Sequence, residues 1–146
     1  LNNQSFAYFD TSAWLKLYVR ENGSEEARNL ARNYHLLSSA LLLTESFAAL
    51  SGKRIIGEMD DKKFNRLVRT MKADSRYVEI INISDAVLDK SQEIVLNSAA
   101  RTLDAIHIAS ALIFQSMAEI PVTFITSDRK QYEVAKEKGL RAVFVV

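Results

Sequence analysis

Phe6-Ala7-Tyr8-Phe9-Asp10-Thr11-Ser12-Ala13 passes in one step from β-prone apolar residues to an acid and two hydroxyls. The apolar part is too short for a helix and too continuously apolar for a strand with one wet face, so it predicts a strand buried on both sides. Further runs of this kind occur at Leu36-Leu37, 77–81, 122–125 and 142–146. Helical periodicities fill the intervals, at 12–19, 24–34, about 40–56, 60–73, 84–100, 102–117 and 128–138. Strands alternating with helices predict an α/β fold whose parallel sheet carries helices on both faces. Ser24 ahead of Glu25-Glu26 predicts a helix start, and Gly139 behind Lys136 and Lys138 a helix stop.

Composition narrows the class. The 146 residues are 48% hydrophobic and 25% charged, enough to bury one core, and without repeats or linker-like tracts residues 1–146 read as a single domain. Four Gly and one Pro are too few for the hairpins of an all-β sandwich. A net charge of +1 rules out a generally basic binder of nucleic acid, so any polyanion site must be built locally. The absence of Cys excludes disulfides, a thiolate zinc site and a cysteine nucleophile, and fits a reducing cytoplasm. No apolar run approaches the roughly 18 residues of a membrane span. The first residues lack the charged and apolar regions of a signal peptide, so a cytoplasmic protein is expected.

In an open parallel sheet, ligands bind beyond the carboxyl ends of the strands. Asp10 directly follows the first strand, and Asp128 follows the run 122–125 by way of Thr126 and Ser127. Glu45 within Leu43-Thr44-Glu45-Ser46-Phe47 and Asp104 within Leu103-Asp104-Ala105-Ile106 are acids in apolar helical surroundings, each expected in the opening turns of its helix and facing the same edge. Crowded carboxylates are costly to desolvate, and a hard, oxygen-seeking divalent cation offsets that cost. Each acid also has a plain structural reading: Asp10 and Asp128 as N-caps, Asp104 as a first-turn acid favoured by the helix dipole. Glu45 is the hardest to dismiss in that way.

The run Tyr8-Phe9-Asp10-Thr11-Ser12-Ala13, the lone Glu45, Leu103-Asp104-Ala105-Ile106-His107-Ile108-Ala109 and Ile125-Thr126-Ser127-Asp128 resemble, in order and spacing, the acidic motifs of PIN-domain ribonucleases of the VapC toxin type. The resemblance covers essentially the whole chain. It implies a PIN-like three-layer α/β/α sandwich around a central five-stranded parallel sheet. It further implies that Asp10, Glu45, Asp104 and Asp128 are the catalytic, metal-binding quartet for Mg²⁺ or Mn²⁺, with Thr11, Ser12 and Thr126 as supporting hydroxyls. The implied reaction is hydrolysis of an RNA phosphodiester. The implied partners are RNA, a small VapB-like antitoxin and a second copy of the chain. Where the family often has further acids near the fourth motif, this chain has Arg129 and Lys130, leaving fewer ligands for a second ion.

His107 follows Asp104 on nearly the same helix face; oxygens alone suit Mg²⁺, so a packing or supporting role is preferred over ligation. His35 is read as structural, and Trp14 and Tyr18 as core or dimer contacts. Arg101, ahead of the third motif, and Lys16, near the first, are candidates for holding a phosphate by position alone. Other families with an acid after the first strand fit less well: a receiver domain needs an Asp after the third strand and a Lys after the fifth, and a haloacid-dehalogenase phosphatase needs an acid where Ser12 stands. No Gly-rich turn follows the first strand to bind a dinucleotide. A non-catalytic PIN-like domain that binds RNA or protein is the remaining alternative. The near-zero net charge conceals a division: residues 53–76 carry +4 and the remainder −3. Arg66 and Arg69 on this basic stretch are candidates for RNA contact.

Overall fold

A computed structural model describes residues 5–146. β1 (Phe6–Phe9) occupies the centre of a five-stranded sheet of order β3-β2-β1-β4-β5, with β2 at His35–Ser39, β3 at Glu79–Ile81, β4 at Val122–Thr126 and β5 at Arg141–Phe144. All the pairings are parallel. The helices are α1 (Thr11–Leu15), α2 (Ser24–Asn33), α3 (Leu42–Ile55), α4 (Asp61–Asp74), α5 (Asp85–Leu96), α6 (Thr102–Ala118) and α7 (Arg129–Glu137).

Alternation along the central strands assigns the layers. Tyr8, Leu37 and Phe124 join residues of α5, α6 and α7 in one core. Ala7, Phe9 and Ile125 turn the other way, toward Ala13 of α1 and Ala27 of α2. Both faces are covered, which is why β1 and β4 tolerate unbroken apolar sequence. Tyr8 stacks on Phe124 with ring centroids 5.3 Å apart, a contact worth about 0.5–1.5 kcal/mol beyond area burial. A third cluster, built on Leu50, Met59, Leu67 and Met71, fastens α4 to α3, with Leu15 and Tyr18 packed against it.

The expected parallel α/β sandwich is present, and four local expectations change. The third strand is shorter than 77–81, because Tyr77 lies in a 3₁₀ turn (Ser75–Tyr77) and is 83% exposed. β3 and β5 are edge strands and only partly buried, so apolar sequence there does not mark two covered faces. α1 ends at Leu15 rather than near 19. The cap of α2 is Gly23, at φ +85°, where a Cβ would collide with the Val146 carbonyl oxygen. Ser24 Oγ instead accepts from the Glu21 amide and donates to the Val19 carbonyl. Gly139, at φ +90°, does end α7, with the Leu140 amide reaching back to Ala135.

The strand order matters most for function. From β1 the chain moves outward through β2 and β3, then crosses back to β4 on the other side of β1. The crevice at such a reversal, beyond the carboxyl ends of the two diverging strands, is where α/β sheets bind ligands. Here that point lies after Phe9 and Thr126.

Candidate active site

Asp10 is the residue next after β1, 2% exposed, and its carboxylate is fully engaged. Oδ1 accepts from the Ala13 amide at 2.9 Å and from Ser12 Oγ at 2.7 Å, and Oδ2 accepts from Thr126 Oγ1. The cap reading of Asp10 is therefore correct as far as it goes. The Thr126 and Ser12 bonds do more than capping requires, because they tie the end of β1 to the end of β4. Ser12 Oγ also accepts from the Ser127 amide, and Thr126 Oγ1 from the Asp128 amide. Burial pushes the Asp10 carboxyl above its ordinary range, against the pull of His107 and of these hydrogen bonds.

Glu45 lies in the first turn of α3 and Asp104 in the first turn of α6. The Glu45 carboxylate accepts from Thr11 Oγ1 at 2.9 Å and pairs with His107 Nε2 at 2.6 Å, both at Oε1. A carboxylate can only accept, so the imidazole donates to it from Nε2, while Nδ1 lies 2.6 Å from the Tyr8 hydroxyl. Burial would raise the Glu45 carboxyl, but the bond and charge of His107 and the Thr11 hydroxyl outweigh it, and the group sits below its ordinary value. Tyr8, wholly buried, is held well above its usual range by desolvation and then by Asp10.

Asp104 is the least satisfied of the acids. Its Oδ2 is buried without a hydrogen-bond partner, and the nearest cation is Arg101, with Nε 3.7 Å away. Burial and then repulsion from Asp128 raise its carboxyl, with Glu45 adding to the repulsion. Asp128 caps α7 through the Gln131 amide at 3.0 Å. The Gln131 side chain does not return to Asp128 as a capping box would; it reaches the Asp104 carbonyl at 3.4 Å and ties α7 to α6.

A family model described as the PIN domain matches residues 7–137. The chain belongs to the PIN domain family. This PIN domain is 32% identical over 137 residues to Ribonuclease VapC46 of Mycobacterium tuberculosis, across 93% of this chain and 95% of that protein. Its fold is similar to a chain of a toxin-antitoxin complex from Klebsiella pneumoniae, with TM-score 0.65 at 21% identity over 96% of this chain and 98% of that one. It is equally similar to VapC20 of Mycobacterium tuberculosis, a sarcin-ricin loop cleaving toxin, with TM-score 0.65 at 16% identity over 93% and 96% of the two chains.

In this PIN domain the three candidate hydroxyls each bond one of the acids: Ser12 and Thr126 bond Asp10, and Thr11 bonds Glu45. Arg101 stands beside Asp104. Arg66 and Arg69 are exposed on α4, lining a surface groove with Asp60, Lys62 and Lys63, and none of their hydrogen bonds or ion pairs among the described residues involves the acids. Lys16 is occupied elsewhere: Nζ donates to the Asn22 carbonyl at 2.6 Å and pairs with Glu21, pinning the turn before α2. Trp14 is core, and Tyr18 donates to Asp74 at 2.7 Å, joining the turn after α1 to α4. His35 pairs loosely with Glu79 at 3.6 Å on the neighbouring strand. The supporting role preferred for His107 agrees with its bond to Glu45, whereas sequence reasoning missed Tyr8, whose available signal was its place two residues before Asp10.

Among the described residues no three His, Asp or Glu side chains are gathered as a metal ion would need them. The residues nevertheless fit such an ion in kind. The donors are carboxylate oxygens, one of them, Asp104 Oδ2, is buried without a hydrogen-bond partner, and Asp104 is under repulsion from Asp128 and Glu45. A hard divalent cation relieves that repulsion.

Proposed function

We propose that this chain is a metal-dependent endoribonuclease and the toxin of a toxin–antitoxin pair, with residues 1–146 acting as one catalytic domain. The observation that carries the reading is Asp104 Oδ2, buried without a hydrogen-bond partner and pressed by Asp128 and Glu45 at the edge where β1 and β4 diverge. Asp10, Glu45, Asp104 and Asp128 are the residues that would hold Mg²⁺ or Mn²⁺. Such an ion, when bound, polarises the phosphodiester and acidifies the attacking water. The chain's own residues do the positioning. Ser12 and Thr126 immobilise Asp10, Thr11 and His107 aim Glu45, and Tyr8 fixes the His107 ring.

RNA as substrate is supported by the ribonuclease name of the 32% identical relative, and an antitoxin partner by the toxin-antitoxin complex of similar fold. A homodimer is supported by an apolar groove between α5 and α6, lined by Ile81, Val87, Ile113, Phe114 and the exposed Met117. No helix among the described residues is long and apolar enough to cross a membrane. The ungathered acids favour one second reading, a non-catalytic PIN domain that binds RNA or protein. Incubating the purified protein with RNA in Mn²⁺ separates the two. The nuclease reading expects cleavage that EDTA and Asp104→Asn both abolish; binding without cleavage, or equal cleavage by the variant, overturns it.

A further inference from the structure

Arg129 is the residue next after Asp128 and the first of α7. Its guanidinium lies 3.9 Å over the ring of Phe144 and 5.6 Å from that of Tyr132. Phe144 is level with Thr126 in the parallel register of β4 and β5, so the arginine is held at the sheet edge where Thr126 binds Asp10. Among the described residues no carboxylate forms an ion pair with Arg129, although it is exposed and one residue from an acid. Long surface cations are ordinarily mobile, and this one is held by two rings that cannot neutralise it. A guanidinium held over an aromatic ring keeps its N–H edge free for a planar fork of hydrogen bonds to an anion. Asp104 nearby is already repelled by Asp128 and Glu45, so an incoming polyanion meets unfavourable charge unless a fixed cation receives it beside the acids.

We propose that Arg129, positioned by Phe144 and Tyr132, binds a phosphate of the RNA next to the acidic cleft and sets the register of the strand along the β5 side. The inference rests on the nuclease reading and names a contact of that same site. A phosphate flanking the scissile bond fits better than a base, because the rings are already covered by the guanidinium and only its polar edge is presented. The competing role is structural: Arg129 as a clip between α7 and β5, much as Lys136 packs over the Tyr132 ring at 5.0 Å.

Steady-state cleavage of a fluorescent single-stranded RNA in Mn²⁺, over a series of salt concentrations, decides between them. Arg129→Ala is expected to raise KM about tenfold, with kcat nearly kept. The salt dependence of kcat/KM should become shallower by about 0.7 in log–log slope, the share of a single neutralised phosphate. Phe144→Leu, which keeps the charge and frees the side chain, is expected to lie between Arg129→Ala and the parent protein; Lys138→Ala, at the far end of α7, controls for net charge and should match the parent. A lowered melting temperature for Arg129→Ala with unchanged KM and unchanged salt slope would overturn the proposal and leave the clip. Failure of the parent protein to cleave or bind RNA would instead remove the nuclease reading, and this inference with it.

Discussion

The two charged regions of the molecule follow opposite plans. At the carboxyl edge of β1 and β4, the acids are buried or half-buried, and two of them are fastened by short bonds from residues distant in sequence, Thr126 to Asp10 and His107 to Glu45. Along α4, Lys62, Lys63, Arg66 and Arg69 stand in solvent beside a groove, and α4 itself is secured by the apolar Leu67 and Met71 beneath them. Position matters at the first site and total charge at the second. Small displacements should therefore destroy the one, while the other should degrade in proportion to the charge removed.

The largest effect tests the acid edge directly. Asp10→Asn keeps an oxygen for the Ala13 amide yet removes the charge, and should lower RNA cleavage in Mn²⁺ by about 10²-fold or more, as should Asp104→Asn or excess EDTA. Near-parental turnover in either variant would break the contrast. His107→Ala should cost about 10–100-fold in activity and weaken Mn²⁺ binding in calorimetry, because Glu45 loses the partner that aims it. Unchanged Mn²⁺ affinity would reduce His107 to packing.

The basic helix should respond more gently. Replacing Arg66 and Arg69 together by Ala should weaken RNA binding and flatten its salt dependence by about 0.7 for each phosphate no longer neutralised, leaving kcat close to parental; an unaltered slope would assign these residues to an ordinary solvated surface. The smallest effect compares like with like. Asp60 caps α4 through the Lys63 amide at 2.8 Å, the same local bond that Asp10 makes to Ala13. Asp60→Ala should cost about 1 kcal/mol, a melting shift of roughly 2–4 °C, with cleavage intact. A loss of activity there would show that α4 contributes more than charge.

Much of the acid edge was legible because chemistry left local marks. Asp10 and Asp128 follow strands, and Glu45 and Asp104 interrupt apolar helices, so each stands out from a handful of neighbours. The errors fell where the deciding partner is remote. Tyr77 has strand-like neighbours, yet its exposure depends on β3 being an edge. Gly23 rather than Ser24 caps α2 because Val146 passes within reach of a Cβ there. Lys16 looked placed for a phosphate until the turn before α2 folded back to claim it.

By itself the sequence determined the alternation of strand and helix, the acids at strand ends and helix starts, and the basic charge of 53–76, since periodicity and capping act over a few residues. Tertiary structure alone decided the order β3-β2-β1-β4-β5, which sets Asp10 beside Thr126 across 116 residues of chain and the Tyr8 hydroxyl against His107 across 99. Those partners are selected by packing on both faces of one sheet, and side-chain bonds between elements form only after the sheet has chosen its neighbours.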